Sequence, residues 1–329
     1  MAVLLWTFGA LLALALAGVG WEIYATSRDR RRYPPSGRLV DAGGFRLHLV
    51  EGGRRDHAPT VILECGSSMP SPHLERVRSR VGDFARVVAY DRPGLGWSDP
   101  LPAGRTHDAR TIAQGLHAAL ASAGIPGPYV LVALAQGALH AIVFADLYPD
   151  EVAGAVLVEP QHPDAYFRLP DGGRLQRRQR TVARVAPTLA RLGAIRPFAR
   201  TLIKEAEALP ARAFAELEAF MAQVTHVRSS AREVEALLQF TFPQVRRSRD
   251  FDDRPLIVLS ASRDSIGGDR IHEEMAMLSS NSRHIVVEGA SHGTIVTDSK
   301  HARVVADATR LVLHAAAHGR SVEASGASA

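Results

Sequence analysis

The sequence is short of the residues that most often commit a chain to a chemistry. Among 329 residues there is one cysteine, Cys65, so neither an intrachain disulfide framework nor a cysteine-built zinc site can form. The single asparagine, Asn281, is followed by Ser282 and Arg283, which leaves no N-glycosylation sequon. Lysine is almost missing, arginine supplies nearly all the positive charge, and the net charge of +5 is modest. No basic stripe interleaved with aromatics runs through the chain, so nucleic acid is not an expected partner. No metal and no cofactor are expected, and no internal repeat is found. What is plentiful is apolar: hydrophobic residues make up 46% against 22% charged, enough to bury a core and too little charge for a disordered chain. The length suits one large α/β domain with an insertion.

Charge is also missing from one place. Residues 2–20 carry none and are almost wholly apolar, with Trp21 and Tyr24 following as interface-type aromatics. At ~1.5 Å per helical residue, about 19 residues just span a hydrocarbon core of ~30 Å. The next cations crowd together as Arg28, Arg30, Arg31 and Arg32. A start without Lys or Arg argues against a cleaved secretory signal. An uncleaved single-pass anchor with its positive flank on the C-terminal side puts the domain in the cytoplasm. The alternative is a signal peptide cut near Ala17 or Ala25 and a secreted product. The expected organisation is therefore an anchor over 1–25 and a basic, proline-bearing linker over 26–37.

Beyond the linker, apolar runs and helical periodicities alternate. Residues 38–42 and 45–51, parted by Gly43 and Gly44, read as an antiparallel hairpin. Strands are expected at 60–65, 85–90, 129–134, 153–158, 254–261 and 283–288. Helices are expected at 71–84, 106–124, from 137 to about 148 as an amphipathic element, 268–279 and 298–318. Strands alternating with helices mean a mostly parallel sheet flanked by helices, built from βαβ crossovers. From 161 to 250 the alternation stops and only helical segments follow, near 174–185, 197–209, 211–228 and 231–240. This stretch reads as an inserted helical cap splitting a core of 38–160 and 251–318. It carries 15 Arg and one Lys against nine acids, six of the Arg within 174–191. Solvated helix faces explain such charge; so does contact with anionic headgroups, worth ~1 kcal/mol per basic residue. Residues 319–329 are small, polar and expected to fray.

The chemistry is concentrated where the 129–134 strand turns into its helix through small residues. A sharp strand-to-helix turn of this kind is the layout of a nucleophile elbow, G-x-S-x-G. Here the five positions read Ala133-Leu134-Ala135-Gln136-Gly137, with alanine at the serine place.

Together with this elbow, the loop Asp91-Arg-Pro-Gly-Leu-Gly-Trp-Ser-Asp99, Asp264 just past a strand, and Gly289-Ala-Ser-His292 after the last strand follow one another in a familiar order. Over about residues 38–318 the chain resembles the α/β-hydrolase superfamily, and more narrowly its membrane-anchored bacterial members. The resemblance implies that His292 occupies the general-base position, with Asp264 as the acid that orients it. Each also has a plainer reading, a solvated loop histidine and a turn-capping aspartate. Glu159, at the end of the preceding strand, is the alternative acid, since some members carry it there. The resemblance places the oxyanion-hole amides at Ser67 and Gln136; backbone donors survive whatever side chain they carry. Cys65 as a replacement nucleophile is disfavoured, because free cysteine is usually buried and nothing cationic adjoins it in sequence.

Ala135 decides the expectation. A methyl has no lone pair with which to attack an ester, and deleting a triad nucleophile costs on the order of 10⁶ in turnover. The expected protein has ester- or acyl-hydrolase ancestry, is catalytically impaired, and binds a small apolar or acyl ligand, or a partner, under its cap. The alternatives are an active or cofactor-free enzyme using the His292–Asp264 pair without a covalent serine intermediate, and a membrane-surface module. The left-handed strain of an elbow is expected to persist at Ala135.

Overall fold

The computed structural model describes residues 1–54, 59–168, 171–263 and 268–325. Eight strands form one sheet: β1 (Arg38–Asp41), β2 (Arg46–Gly53), β3 (Thr60–Glu64), β4 (Arg86–Tyr90), β5 (Tyr129–Leu134), β6 (Val152–Val158), β7 (Leu256–Arg263) and β8 (Ser282–Ser291). Their spatial order is β1-β2-β4-β3-β5-β6-β7-β8. Only the β1–β2 and β2–β4 pairs are antiparallel; every later pair is parallel. The central strands β3 and β5 are buried along their whole length, as continuous β-branched and aliphatic runs require when helices cover both faces. One face packs the helices Glu75–Gly82 and Ser299–His318; the other packs Ala109–Ser122 and Gly137–Leu147.

Several expectations shift at their edges. The helix expected from 106 begins at Ala109, because the Asp108 carboxylate accepts from the Thr111 amide at 2.9 Å and caps it. The Gly137–Leu147 helix is not amphipathic. Nine of its eleven residues are buried, since it lies between the sheet and other helices on every side. β8 runs three residues past its expected end and delivers the chain directly to His292. Of the tail expected to fray, 326–329 lie outside the described residues; within 319–325 Val322 is buried and its amide donates to the Asn281 side chain at 2.9 Å.

The 161–250 stretch is helical, with no strand among its described residues. Its helices are partitioned differently from the expectation. The first long one, Gly172–Arg191, runs on through Pro187; 196–206 breaks into single turns; Ala211–Met221 stops before a short joint, and Val224–Ala236 starts afresh.

The amino-terminal helix Ala2–Arg32 includes an 18-residue window of mean hydropathy 2.3, none of it buried, and is long and apolar enough to cross a membrane. A membrane anchor and a signal sequence both fit that description. The helix continues through residues 26–32, where a linker was expected, and its last turns pack on the protein. Glu22, Ala25 and Asp29 share one buried face. There Arg196 donates to Glu22 at 2.9 and 3.0 Å and pairs with Asp29.

Candidate active site

The chain leaves β5 at Leu134 and enters the Gly137–Leu147 helix within two residues. Ala135 makes the turn with φ +50°. Its amide donates to Val158 O at 2.9 Å, and its carbonyl accepts from Gln161 and Ala138 at 3.1 Å each, so the apex is pinned to the end of β6. Left-handed geometry costs an L-residue ~1–2 kcal/mol and survives only where its surroundings impose it. Gly137 shows the imposition. A Cβ there would stand 2.5 Å from Cys65 O and 2.7 Å from Glu64 Cγ, so glycine alone lets the helix approach the loop after β3. The elbow strain persists without a serine to present.

Three of the four described non-glycine residues with positive φ cluster here: Ala135, Glu159 (+47°) and Ser68 (+60°). They stand after β5, after β6 and in the loop after β3. Such clustering of strain marks a site held in place by its scaffold.

His292 follows β8, and the parallel order brings the end of β6 near it. Its Nδ1 lies 3.2 Å from Glu159 Oε2. Glu159 is fully buried and its Oε1 accepts from the Ala261 amide at 2.6 Å, whereas His292 keeps 31% of its side chain exposed. A carboxylate on Nδ1 fixes the tautomer and leaves Nε2 as the available lone pair. Of the two acids weighed from sequence, Glu159 makes this contact; Asp264 lies outside the described residues.

Opposite, Ser67 Oγ donates to Gln136 Oε1 at 2.7 Å, closing the loop after β3 against the elbow. Among the described residues no acceptor takes the backbone amide of Ser67 or of Gln136. Two unspent N–H groups at one wall of a cavity are what an oxyanion requires. Arg92, from the loop after β4, holds that arrangement. It is 1% exposed, donates to Cys65 O at 2.6 Å and Gly66 O at 2.7 Å, and bridges Glu64 at 2.9 Å and Glu233 at 2.8 Å. Burial opposes the charge of Glu64, but His140 and Arg92 prevail and hold its carboxyl below the ordinary range. Asp91 fixes the same loop by accepting from Ser71 N at 2.7 Å, Trp97 N at 3.0 Å and His48 Nδ1 at 2.8 Å. Cys65, weighed from sequence as a replacement nucleophile, is buried, and burial pushes its thiol pKa well up.

These groups line a cavity of about 450 Å³ whose walls include Ala135, Gln136, Ser67, Glu159 and His292. Sequence reading missed three contributors. His73 lies on the same wall, 7% exposed, its Nδ1 without a partner, and burial followed by the neighbouring His292 lowers its pKa to about 4. Glu205, from the helical stretch, rests against Gly293, and Thr297 Oγ1 donates to its carbonyl at 3.0 Å. His226 ties the Val224–Ala236 helix to the core, through Ser68 O at 2.9 Å and the Gly96 amide at 3.3 Å. Nothing local in sequence marks these positions, because each is defined by a neighbour at least 88 residues away along the chain. Among the described residues no group of three or more His, Cys, Asp or Glu is disposed to hold a metal ion.

A profile for the alpha/beta hydrolase fold matches residues 74–299. An uncharacterized protein of Schizosaccharomyces pombe is 43% identical over 122 residues, 34% of this chain but only 22% of that one. Among solved structures, Cfl2 of Burkholderia cenocepacia superposes with a TM-score of 0.69 at 23% identity, over 83% of this chain and 94% of that one. A putative lipase of Acinetobacter baumannii gives 0.69 at 17% identity, over 91% and 97%. At these identities the structural likeness speaks for the fold.

Proposed function

We propose a function from one premise: the chain belongs to the α/β-hydrolase family. Its cavity is a disarmed ester or acyl site that binds a small apolar or acyl ligand. The observation that carries this reading is the methyl of Ala135 at the strained apex, in the same cavity wall as the His292–Glu159 pair and two unspent amides. Base, acid and oxyanion donors without an attacking oxygen can polarise and hold an ester carbonyl, yet cannot form an acyl-enzyme. Glu159 serves as the acid in this reading, from its contact with Nδ1. A lipase and an esterase among the structural neighbours agree with an acyl-type ligand.

The intact pair favours one second reading, an enzyme in which His292 acts as base on a water or on an acidic proton of the ligand. The domain organisation goes with the first proposal: 38–160 and 251–318 form the core, and 161–250 covers the cavity. In this reading the anchor is retained, since cutting after Ala25 would strip Glu22 from Arg196, and the arginine flank at 28–32 puts the domain on the cytoplasmic side.

The deciding experiment compares the native chain, Ala135→Ser and His292→Ala on short p-nitrophenyl esters. Native turnover level with His292→Ala, and a gain of at least ~10²-fold in Ala135→Ser, is expected from the 10³–10⁶ range that nucleophiles command in triads. Native turnover that His292→Ala abolishes would replace the disarmed reading with the second one.

A further inference from the structure

The amino-terminal helix does not hang free of the protein. Its uncharged run is 2–20, and Gly18 lies inside it. At that depth the helix touches the turn after Gly172–Arg191: a Cβ on Gly18 would collide with Leu192 O, and a Cβ on Gly193 would stand 3.1 Å from Gly18 O and 3.3 Å from Trp21 Cδ1. Below this point Arg196 binds Glu22 and Asp29, and Arg30 sits 4.9 Å above the Trp97 ring. If residues 2–20 occupy hydrocarbon, Leu192 and Gly193 are held at its boundary, because a helix clamped along three turns cannot slide.

The surface around that turn suits this depth. Val182, Val185, Leu189, Phe198 and Leu202 are exposed by 41–63%, unusual for large apolar side chains of one neighbourhood. The Gly172–Arg191 helix that carries three of them has six exposed Arg and no acid. Apolar residues flanked by arginines are the composition of a helix lying in a membrane interface. A second cavity, about 430 Å³ and mainly apolar, opens beside Val182 and Leu202, passes Ala183 and Ala231, and shares Ser67, Gln179 and Leu202 with the cavity at Ala135.

We infer that this second cavity is a portal from the bilayer. The ester end of a membrane lipid passes between the helices Gly172–Arg191 and Val224–Ala236 to the Ala135 wall, where its carbonyl meets the amides of Ser67 and Gln136, while the acyl chain lies back along the second cavity past Ala183 and Ala231. This names the ligand of the proposed site as a bilayer amphiphile and rests on that proposal. The occupant is a lipid of the membrane, since the helix that lines the mouth is capped at Leu192, which packs against Gly18 within the amino-terminal helix's apolar run.

The test uses the full chain in anionic phospholipid vesicles containing a phospholipid with a diazirine midway along one acyl chain. After irradiation, labelled peptides are mapped by mass spectrometry. Ala183 and Ala231 are 6% and 7% exposed, so label there reports the channel and not the outer surface. The native chain is expected to carry label at both, alongside the 2–20 helix. Val182→Glu/Leu202→Glu changes only exposed side chains, and repulsion from the anionic surface is expected to cut the inner label about tenfold while the anchor label stays. Anchor label without inner label in the native chain, or inner label indifferent to the double variant, overturns the portal. A water-soluble short-chain diazirine ester that labels Ala231 as well as the lipid does would also overturn it. Labelling needs no turnover, so none of these failures bears on whether Ala135 disarms the site.

Discussion

Replacing Ala135 by glycine should stabilise the protein, although most substitutions destabilise. Alanine at φ +50° sits in the left-handed region, at a cost of ~1–2 kcal/mol that glycine does not incur. Against this stands the extra freedom of glycine in the unfolded chain, ~0.4–1 kcal/mol. The lost methyl is a small term, because Ala135 is only partly buried. The net is a gain of about 0.5–1 kcal/mol, which for a chain of this size raises Tm by about 1–3 °C. Ala133→Gly is the control. Ala133 is fully buried in β5, opposite Glu64 in the β3 register, with no positive φ, so glycine there loses a packed methyl and gains only flexibility. It should cost about 1 kcal/mol. Thermal unfolding of the full chain in detergent micelles, monitored by circular dichroism, compares the two. Opposite signs support an elbow strained by Gly137 and the loop after β3. Equal losses at both positions would refute it, because the apex would then not be a site of stored strain.

Stability should also fall with acid in a defined window. His226 and His73 are buried, and burial lowers each pKa to about 4, against about 6.5 when unfolded. Between those values the unfolded chain takes up protons that the native state excludes, so the stability is complete above pH ~6.5 and is lost as pH falls toward ~4. Each group contributes on the order of 3 kcal/mol across the window. Denaturant midpoints at pH 7 and pH 5 should separate, and His226→Gln should narrow the separation; an unchanged gap would exonerate His226. Arg92→Met strands the buried Glu64 and Glu233 charges and frees two loop carbonyls, so a loss of about 3–5 kcal/mol is expected at pH 7. A loss under 1 kcal/mol in urea unfolding would mean that the carboxylates find other partners.

The sequence by itself determined the sheet, the elbow and the order of the chemical positions. Continuous apolar strands such as 129–134, turn glycines, and the alternation with helices are local signals, and local signals survive reading one residue at a time. The alanine at the elbow apex, residue 135, was equally legible, since the residue's identity is itself the signal. Only the tertiary structure decided which carboxylate meets His292, because Glu159 reaches it through the neighbouring order of β6, β7 and β8 rather than through any spacing. The same holds for His73, which folding sets beside His292, 219 residues on, and for Arg92, whose partners lie 28 and 141 residues away. The apolar run of the amino-terminal helix could be read from hydropathy. Its clamp could not: Glu22 and Asp29 look like ordinary flanking charges until folding sets Arg196 against them. Charges find partners by distance in space, and the sequence records only distance along the chain.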